Sequence, residues 1–290
     1  MCIRDSQPGV GVFRPGSAEA VYSIDGNVRE KAMKVFASFR YQLADQKRGI
    51  LTYYGVLLGF YVLFEILFVV AAVGEDVNGS TTNGITAVTA VYVFVASLCS
   101  FKDNFGMSLQ NGVSRRSTFL ARLCTAGAMC AVMAVADELV TILAPLPSRL
   151  MGIEMGSMSL MENLYFSAAG AWQAGAFLLH LCSAAFGFFM LLAAAGLGYL
   201  ITTLFYRLNK LGKILVGAGV PVLVFFGLPA LELLDQFISN GAVIKAVSGF
   251  FAVVFQFAFG QPQNTALTCL VLFAAMSGLS WLLMRRAVVK

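Results

Sequence analysis

The residues with the most chemical potential in this chain are carboxylates placed where carboxylates are costly. Glu65, Asp137, Glu138, Glu232 and Asp235 interrupt or end long apolar runs, and an ionisable group inside such a run marks a functional position by default. At 1.5 Å per helical residue, Glu65 lies about 22 Å along its run, and Asp137 and Glu232 each about 27 Å along theirs. All five therefore fall toward one end of their helices. Together they would form an acidic vestibule through which a cation, cationic peptide or drug could leave, with Glu65, Asp137 and Glu138 as the expected path. The plainer reading has Asp137, Glu138, Glu232 and Asp235 reaching headgroup water from helix ends. Glu65 fits that explanation least well. His180, the single histidine, falls at the same end of its own run.

Other reactive residue types offer less. Cys99, Cys124, Cys130, Cys182 and Cys269 sit in or beside apolar runs, Cys2 stands near the start, and no CxxC or Cys/His ligand spacing occurs. They are expected to act as small buried hydrophobes. Met151, Met155, Met158 and Met161 recur at helical spacing. Thioethers so placed can bind Cu(I), although an interfacial apolar face is the simpler expectation. A hydrolase needs a nucleophile and a base within reach, yet the chain has no GxSG and no HExxH. It also lacks GxxxxGK[ST], so no phosphate-cradling loop is present. The expectation is a non-enzymatic chain with no cofactor, no metal and no nucleic-acid partner.

The elements that must carry these residues are set by composition. Of 290 residues, 59% are hydrophobic and 12% charged, half the charged share of about 25% in soluble domains. Mean hydropathy is +0.80. An all-α integral membrane protein is expected. Runs of about 20 apolar residues suit membrane helices and occur at Ile50–Val73, Ile85–Phe101, Phe119–Ala144, within Ala168–Tyr206, at Ile214–Leu234 and at Thr265–Met284. On this count eighteen of the twenty Lys and Arg residues fall on one side, and only Arg149 and Lys245 on the other. The positive-inside rule then gives six spans with both termini cytoplasmic. Ala242–Gly260 is also apolar enough to span, but a seventh helix would place Arg285, Arg286 and Lys290 outside. A re-entrant or interfacial pair of short helices on the outer side, between spans five and six, is expected there. The 39-residue run to Tyr206 is about 58 Å long as a helix, so its first part is expected to project from the bilayer.

Three regions follow. Residues 1–26 form a polar tail, expected to be disordered and without a cleavable signal peptide. Residues 27–49 form an amphipathic entry helix, in which Asn27 and Glu30 resemble a capping box and Val28, Ala32, Val35 or Phe36, Phe39 and Leu43 recur at helical spacing among basic residues. Such a helix lies in the inner headgroup plane against membrane lipids. Residues 50–290 form the six-span domain. Within it, Gly55-Val-Leu-Leu-Gly59 suits close helix packing or dimerisation.

The link between spans two and three is the most specific segment. Asn111-Gly112 is a turn signal that ends one short helix, and Ser114 can cap the next, with Arg115 and Arg116 at its start. The result is a helix, a turn and a helix that present Phe105, Leu109 and a basic pair. Here the chain resembles the permease subunits of ABC-2 type transporters from Gram-positive bacteria, in which an acidic-x-F...LQNG[VI]SR[RK]xxF segment joins spans two and three. The entry helix, six spans, N-in/C-in topology and outer insertion agree, so the resemblance covers nearly all of Asn27 to Lys290. It implies a multi-pass permease subunit in a bacterial cell membrane, acting in export, beside a second permease chain and a separate ATP-binding cassette ATPase. It further implies that Asp103, Phe105, Leu109, Asn111, Gly112, Ser114, Arg115 and Arg116 form the ATPase-coupling loop, with Tyr206–Lys213 as a smaller contact. The alternative is a secondary transporter for a cation or small molecule. That class would show related halves with broken helices near the midplane, and no convincing internal repeat is visible.

Overall fold

A computed structural model describes residues 17–72, 80–82, 85–146, 156–166, 175–223, 226 and 242–285. The described residues are helical almost throughout. Helix α1 (Ser17–Ala72) is followed by strand β1 (Ser80–Thr82), α2 (Ile85–Gln110) and α3 (Arg115–Leu143). Strand β2 (Gly156–Met158), α4 (Leu160–Tyr165), α5 (Ala176–Arg207), α6 (Lys210–Val222), α7 (Ala242–Phe259) and α8 (Pro262–Arg285) complete the order. The strands form a small parallel ladder, with Ser80 opposite Gly156 and Thr82 opposite Met158. This ladder is an addition to the expected all-helical chain.

Among the described residues three helices are long and apolar enough to cross a membrane: α3, α5 from Phe177 onward, and α8. They coincide with the third, fourth and sixth expected spans. Ile85–Ser100 of α2 and Val247–Phe259 of α7 are shorter apolar stretches. The fifth expected span begins on α6, and beyond Val222 it falls almost wholly outside the described residues.

The packing is inverted relative to a soluble protein. Thr89, Thr125 and Ser280 are fully buried, while Leu51, Phe64 and Phe177 are mostly exposed. A surface carrying this much contiguous apolar area fits a lipid or protein environment, not water. The core lies where α2, α3 and α5 meet, around Val93, Met129, Met133, Leu191 and Ala195. Helix α5 is central, packed along its length by α2 on one side and α8 on another. Its small residues allow this. A Cβ at Gly198 would lie 2.5 Å from the Phe94 carbonyl oxygen of α2, and one at Gly196 would lie 2.9 Å from the Phe273 ring of α8. Thr202 then donates to the Leu98 carbonyl at 2.9 Å.

Several expectations change. The entry helix and first span are one continuous helix, because no proline lies between Ser17 and Ala72, and neither Gly26 near its start nor Gly49 at the junction breaks it. Asn27 is therefore an interior residue and not a cap, and the helix begins inside the stretch expected to be a tail. Helix α1 turns Ser38, Gln42 and Gln46 inward at helical spacing and leaves Phe36 exposed, and Gln46 donates to Ser100 of α2 at 3.1 Å. Beyond α6, Ala242–Phe259 is a single 18-residue helix, not a pair of short ones, since no Gly-Pro or Asn-Gly break divides it. Among the described residues a Cβ at Gly55 or Gly59 would meet nothing within 4 Å. Met158 lies on β2 and Met161 on α4, which removes the shared helical face; Met151 and Met155 lie outside the described residues. Cys130 and Cys269 are buried as expected, whereas Cys99 and Cys124 are exposed.

Candidate functional site

The expected coupling segment is the junction of α2 and α3. Helix α2 closes with the Val113 N–H donating to the Ser108 carbonyl at 2.9 Å, while Gly112 adopts φ +68°. That is a Schellman end, where glycine supplies the left-handed residue without strain from a Cβ. Ser114 then caps α3, its Oγ accepting from the Ser117 N–H at 3.2 Å. The turn and cap are therefore as the sequence suggests. The two short helices are not separate elements. They are the ends of α2 and α3, helices of 26 and 29 residues, and at about 39 and 43 Å both exceed a hydrocarbon core of about 30 Å.

The two arginines differ. Arg115 donates from Nη1 to the Arg285 carbonyl at 3.2 Å, closing the end of α8, while Arg116 is exposed. Asn111 and Gly112 are exposed at the tip. Asp103, Phe105 and Leu109 are helical, and their side chains lie outside the described residues. Phe119, the last residue of the segment, packs on Trp281 with ring centroids 5.2 Å apart.

The acidic pair on α3 forms a second, deeper site. Asp137 is 1% exposed and Glu138 7%, which corrects the reading that places them in headgroup water. Adjacent residues on a helix point about 100° apart, so the two acids serve different neighbours. Asp137 faces α1 and α2. Its Oδ1 accepts from the Tyr54 hydroxyl at 2.8 Å and from Thr89 Oγ1 at 2.9 Å. Tyr54 also lies 3.0 Å from the Met133 carbonyl, and the Tyr53 hydroxyl lies 2.8 Å from Thr89 Oγ1. Tyr53 is held in turn by stacking on Tyr92 at 4.3 Å. Oδ2 of Asp137 is buried without a hydrogen-bond partner among the described residues.

Glu138 turns instead to α5. Oε2 lies 3.1 Å from His180 Nδ1, and Oε1 accepts from Ser183 Oγ. Both its oxygens are satisfied. His180 therefore sits level with the acidic pair, as depth counting suggests. Among the described residues no group of three His, Cys, Asp or Glu side chains could hold a metal ion. Glu232 and Asp235 lie outside the described residues. Glu65 is on α1, and its side chain is outside them too.

Sequence reasoning missed Tyr53, Tyr54, Thr89 and Ser183, because hydroxyl residues in apolar runs carry no signal until their partners are known. Arg122 is a further buried group. Arg122 lies inside α3, is 6% exposed and sits over the Tyr199 ring at 5.8 Å. No protein-family model, curated protein or solved structure matches the chain.

Proposed function

We propose that this chain is the membrane-spanning permease subunit of an ATP-binding cassette exporter. It would have six spans and both termini cytoplasmic in a bacterial cell membrane, and would pair with a second permease chain and a separate ATPase subunit. The observation that carries the reading is the α2–α3 hairpin. A Schellman end and a serine cap hold its tip in one shape, and helices longer than the hydrocarbon core lift that tip clear of lipid. A rigid, exposed projection bearing Asn111, Gly112 and Arg116 is what a docking knob requires. Energy from ATP must then enter mechanically, because the sequence holds no phosphate-binding loop.

The test is capture of an ATPase from native membranes with the tagged chain, followed by its hydrolysis rate. Phe105→Ala loses or uncouples the ATPase. An apolar anchor truncated from a groove costs about 3–5 kcal/mol, whereas an exposed arginine pair contributes about 0–1 kcal/mol. Arg116→Ala therefore has the smaller effect. Wild-type capture and coupling in both variants would reduce the hairpin to an ordinary connection.

A second reading has its own observation. The buried Asp137 and Glu138 networks suit a secondary transporter for a cation or small molecule, since membrane-buried acids commonly lie on ion paths. Transport by the reconstituted chain alone, driven by an ion gradient without ATP, would decide for it.

A further inference from the structure

Asp137 has an unusual balance of partners. Both of its hydroxyl donors meet on Oδ1, and among the described residues Oδ2 has none although the residue is 1% exposed. The titratable groups facing it are Tyr53 and Tyr54 from α1, Tyr92 of α2 behind Tyr53, and Glu138 beside it on α3. Glu138 is occupied by Ser183 and His180 of α5. Among the described residues no cationic side chain pairs with Asp137. A buried carboxylate with one bare oxygen and no counter-charge is the form that burial penalises most. The same group as a neutral acid leaves only a carbonyl oxygen unpaired.

A hydrogen-bond chain leads outward from Oδ1 through Thr89 to Tyr53. It ends at an open groove of about 600 Å³ between α1 and α2, whose walls include the apolar Val56, Phe60, Phe64, Ile85 and Val88, so that Tyr53 offers a hydroxyl on a mostly apolar wall. Tyr53 belongs both to this wall and to the hydrogen-bond chain, while Thr89 behind it is fully buried. The Tyr53–Thr89 contact permits either hydroxyl to donate.

We propose that Asp137 is a reversible proton-binding site, loaded and emptied through the Thr89 and Tyr53 hydroxyls from the groove between α1 and α2. In the ionised state Tyr53 donates to Thr89 and Thr89 donates to Oδ1. A hydronium in the groove gives its proton to the Tyr53 oxygen as Tyr53 passes its own to Thr89 and Thr89 passes its own to Oδ1. The hydronium becomes water, each hydroxyl gains one proton and loses one, and the carboxylate becomes a carboxylic acid. The three oxygens then keep their contacts with every donor reversed, Oδ1–H to Thr89, Thr89 to Tyr53, and Tyr53 to water. Tyr54 has the Met133 carbonyl as an alternative acceptor, so it can release Oδ1 as the proton arrives. Unloading runs the same steps backward.

The inference rests on neither transporter reading. Failure to capture an ATPase leaves it standing, and its own failure leaves the hairpin untouched. The test is infrared difference spectroscopy of the full chain in lipid nanodiscs, stepped between alkaline and acidic pH. Wild type gains a carboxylic-acid carbonyl band that Asp137→Asn lacks. Tyr53→Phe keeps the ring and the band but slows its hydrogen–deuterium exchange roughly tenfold, the size of one lost network bond. A band unchanged in Asp137→Asn overturns the proton site, and wild-type exchange in Tyr53→Phe overturns the route. Where Asp137→Asn does not fold, wild type is labelled with dicyclohexylcarbodiimide, which adds to protonated carboxyls in apolar surroundings. An adduct mapped to Asp137 that declines as pH rises supports the site, and its absence at every pH refutes it.

Discussion

Thr89 holds together three elements with one hydroxyl. It joins Tyr53 of α1, Asp137 of α3 and its own helix α2. Thr89→Val keeps the shape and removes both bonds, leaving Oδ1 with Tyr54 alone. Losing a partner from a buried polar group costs about 1–3 kcal/mol, and interhelical bonds in membranes average about 0.6 kcal/mol each. The expected loss is therefore near 1 kcal/mol, read as a lowered melting midpoint of the protein in detergent or nanodiscs. No change in the midpoint would show that the network is too weak to bind the three helices. Only part of this site was legible in the sequence. Asp137 and Glu138 stand out as acids in an apolar run, and their depth follows from counting. Counting along one helix cannot say what lies opposite, and this is why headgroup water seemed sufficient. The structure supplies opposing hydroxyls from α1, α2 and α5 instead.

Glycines decide how the helices meet, and their roles follow from local space rather than from motif. A side chain at Gly198 collides with the backbone of α2, because the Phe94 carbonyl oxygen would lie 2.5 Å from the new Cβ. Gly55 meets nothing within 4 Å. Gly198→Ala should therefore separate α2 from α5 and destabilise by about 1–3 kcal/mol, as overpacking does. Gly55→Ala should be neutral or favourable by up to about 1 kcal/mol through helix propensity alone. Melting midpoints of the two variants moving together would refute this assignment. Gly112 is a third case. Its φ of +68° makes Gly112→Ala unfavourable by about 1–2 kcal/mol, seen as faster proteolysis at the tip with the rest of the chain protected. Equal proteolysis rates would mean that the turn does not depend on glycine. Asn-Gly followed by Ser made this turn readable in advance. The GxxxG spacing in α1 was not informative, because spacing does not tell which face another helix will occupy. The length of α1 was hidden for a related reason, since isolated glycines such as Gly26 and Gly49 are weak stop signals.

At the scale of the whole molecule, α7 decides the topology. It is one helix of 18 residues, about 27 Å long and close to the hydrocarbon thickness of about 30 Å. Phe250, Phe251, Val253, Phe255 and Phe257 are all exposed, and contact with α8 is confined largely to the turn between them, where Asn264 and Thr268 donate to carbonyls at the end of α7. Such a helix can lie along an interface or cross the membrane, and packing alone does not choose. Charge does. If α7 crosses, the end of α8 changes sides and carries Arg285, Arg286 and Lys290 outward, against a split of eighteen basic residues to two. Each Lys or Arg near a membrane end biases its loop to the cytoplasm, so the expected arrangement keeps α7 on the outer side with its phenylalanines in lipid. Cysteines introduced singly at Asn78 and Ser239 should react from outside with an impermeant thiol reagent in intact cells, against a background lacking the native cysteines. Cysteines at Asn111, exposed at the hairpin tip, and at Lys290 should react only after permeabilisation. External labelling at 290 with none at 111 would make α7 a span and overturn the six-span arrangement, while labelling at 111 would invert the hairpin and remove it from any cytoplasmic ATPase.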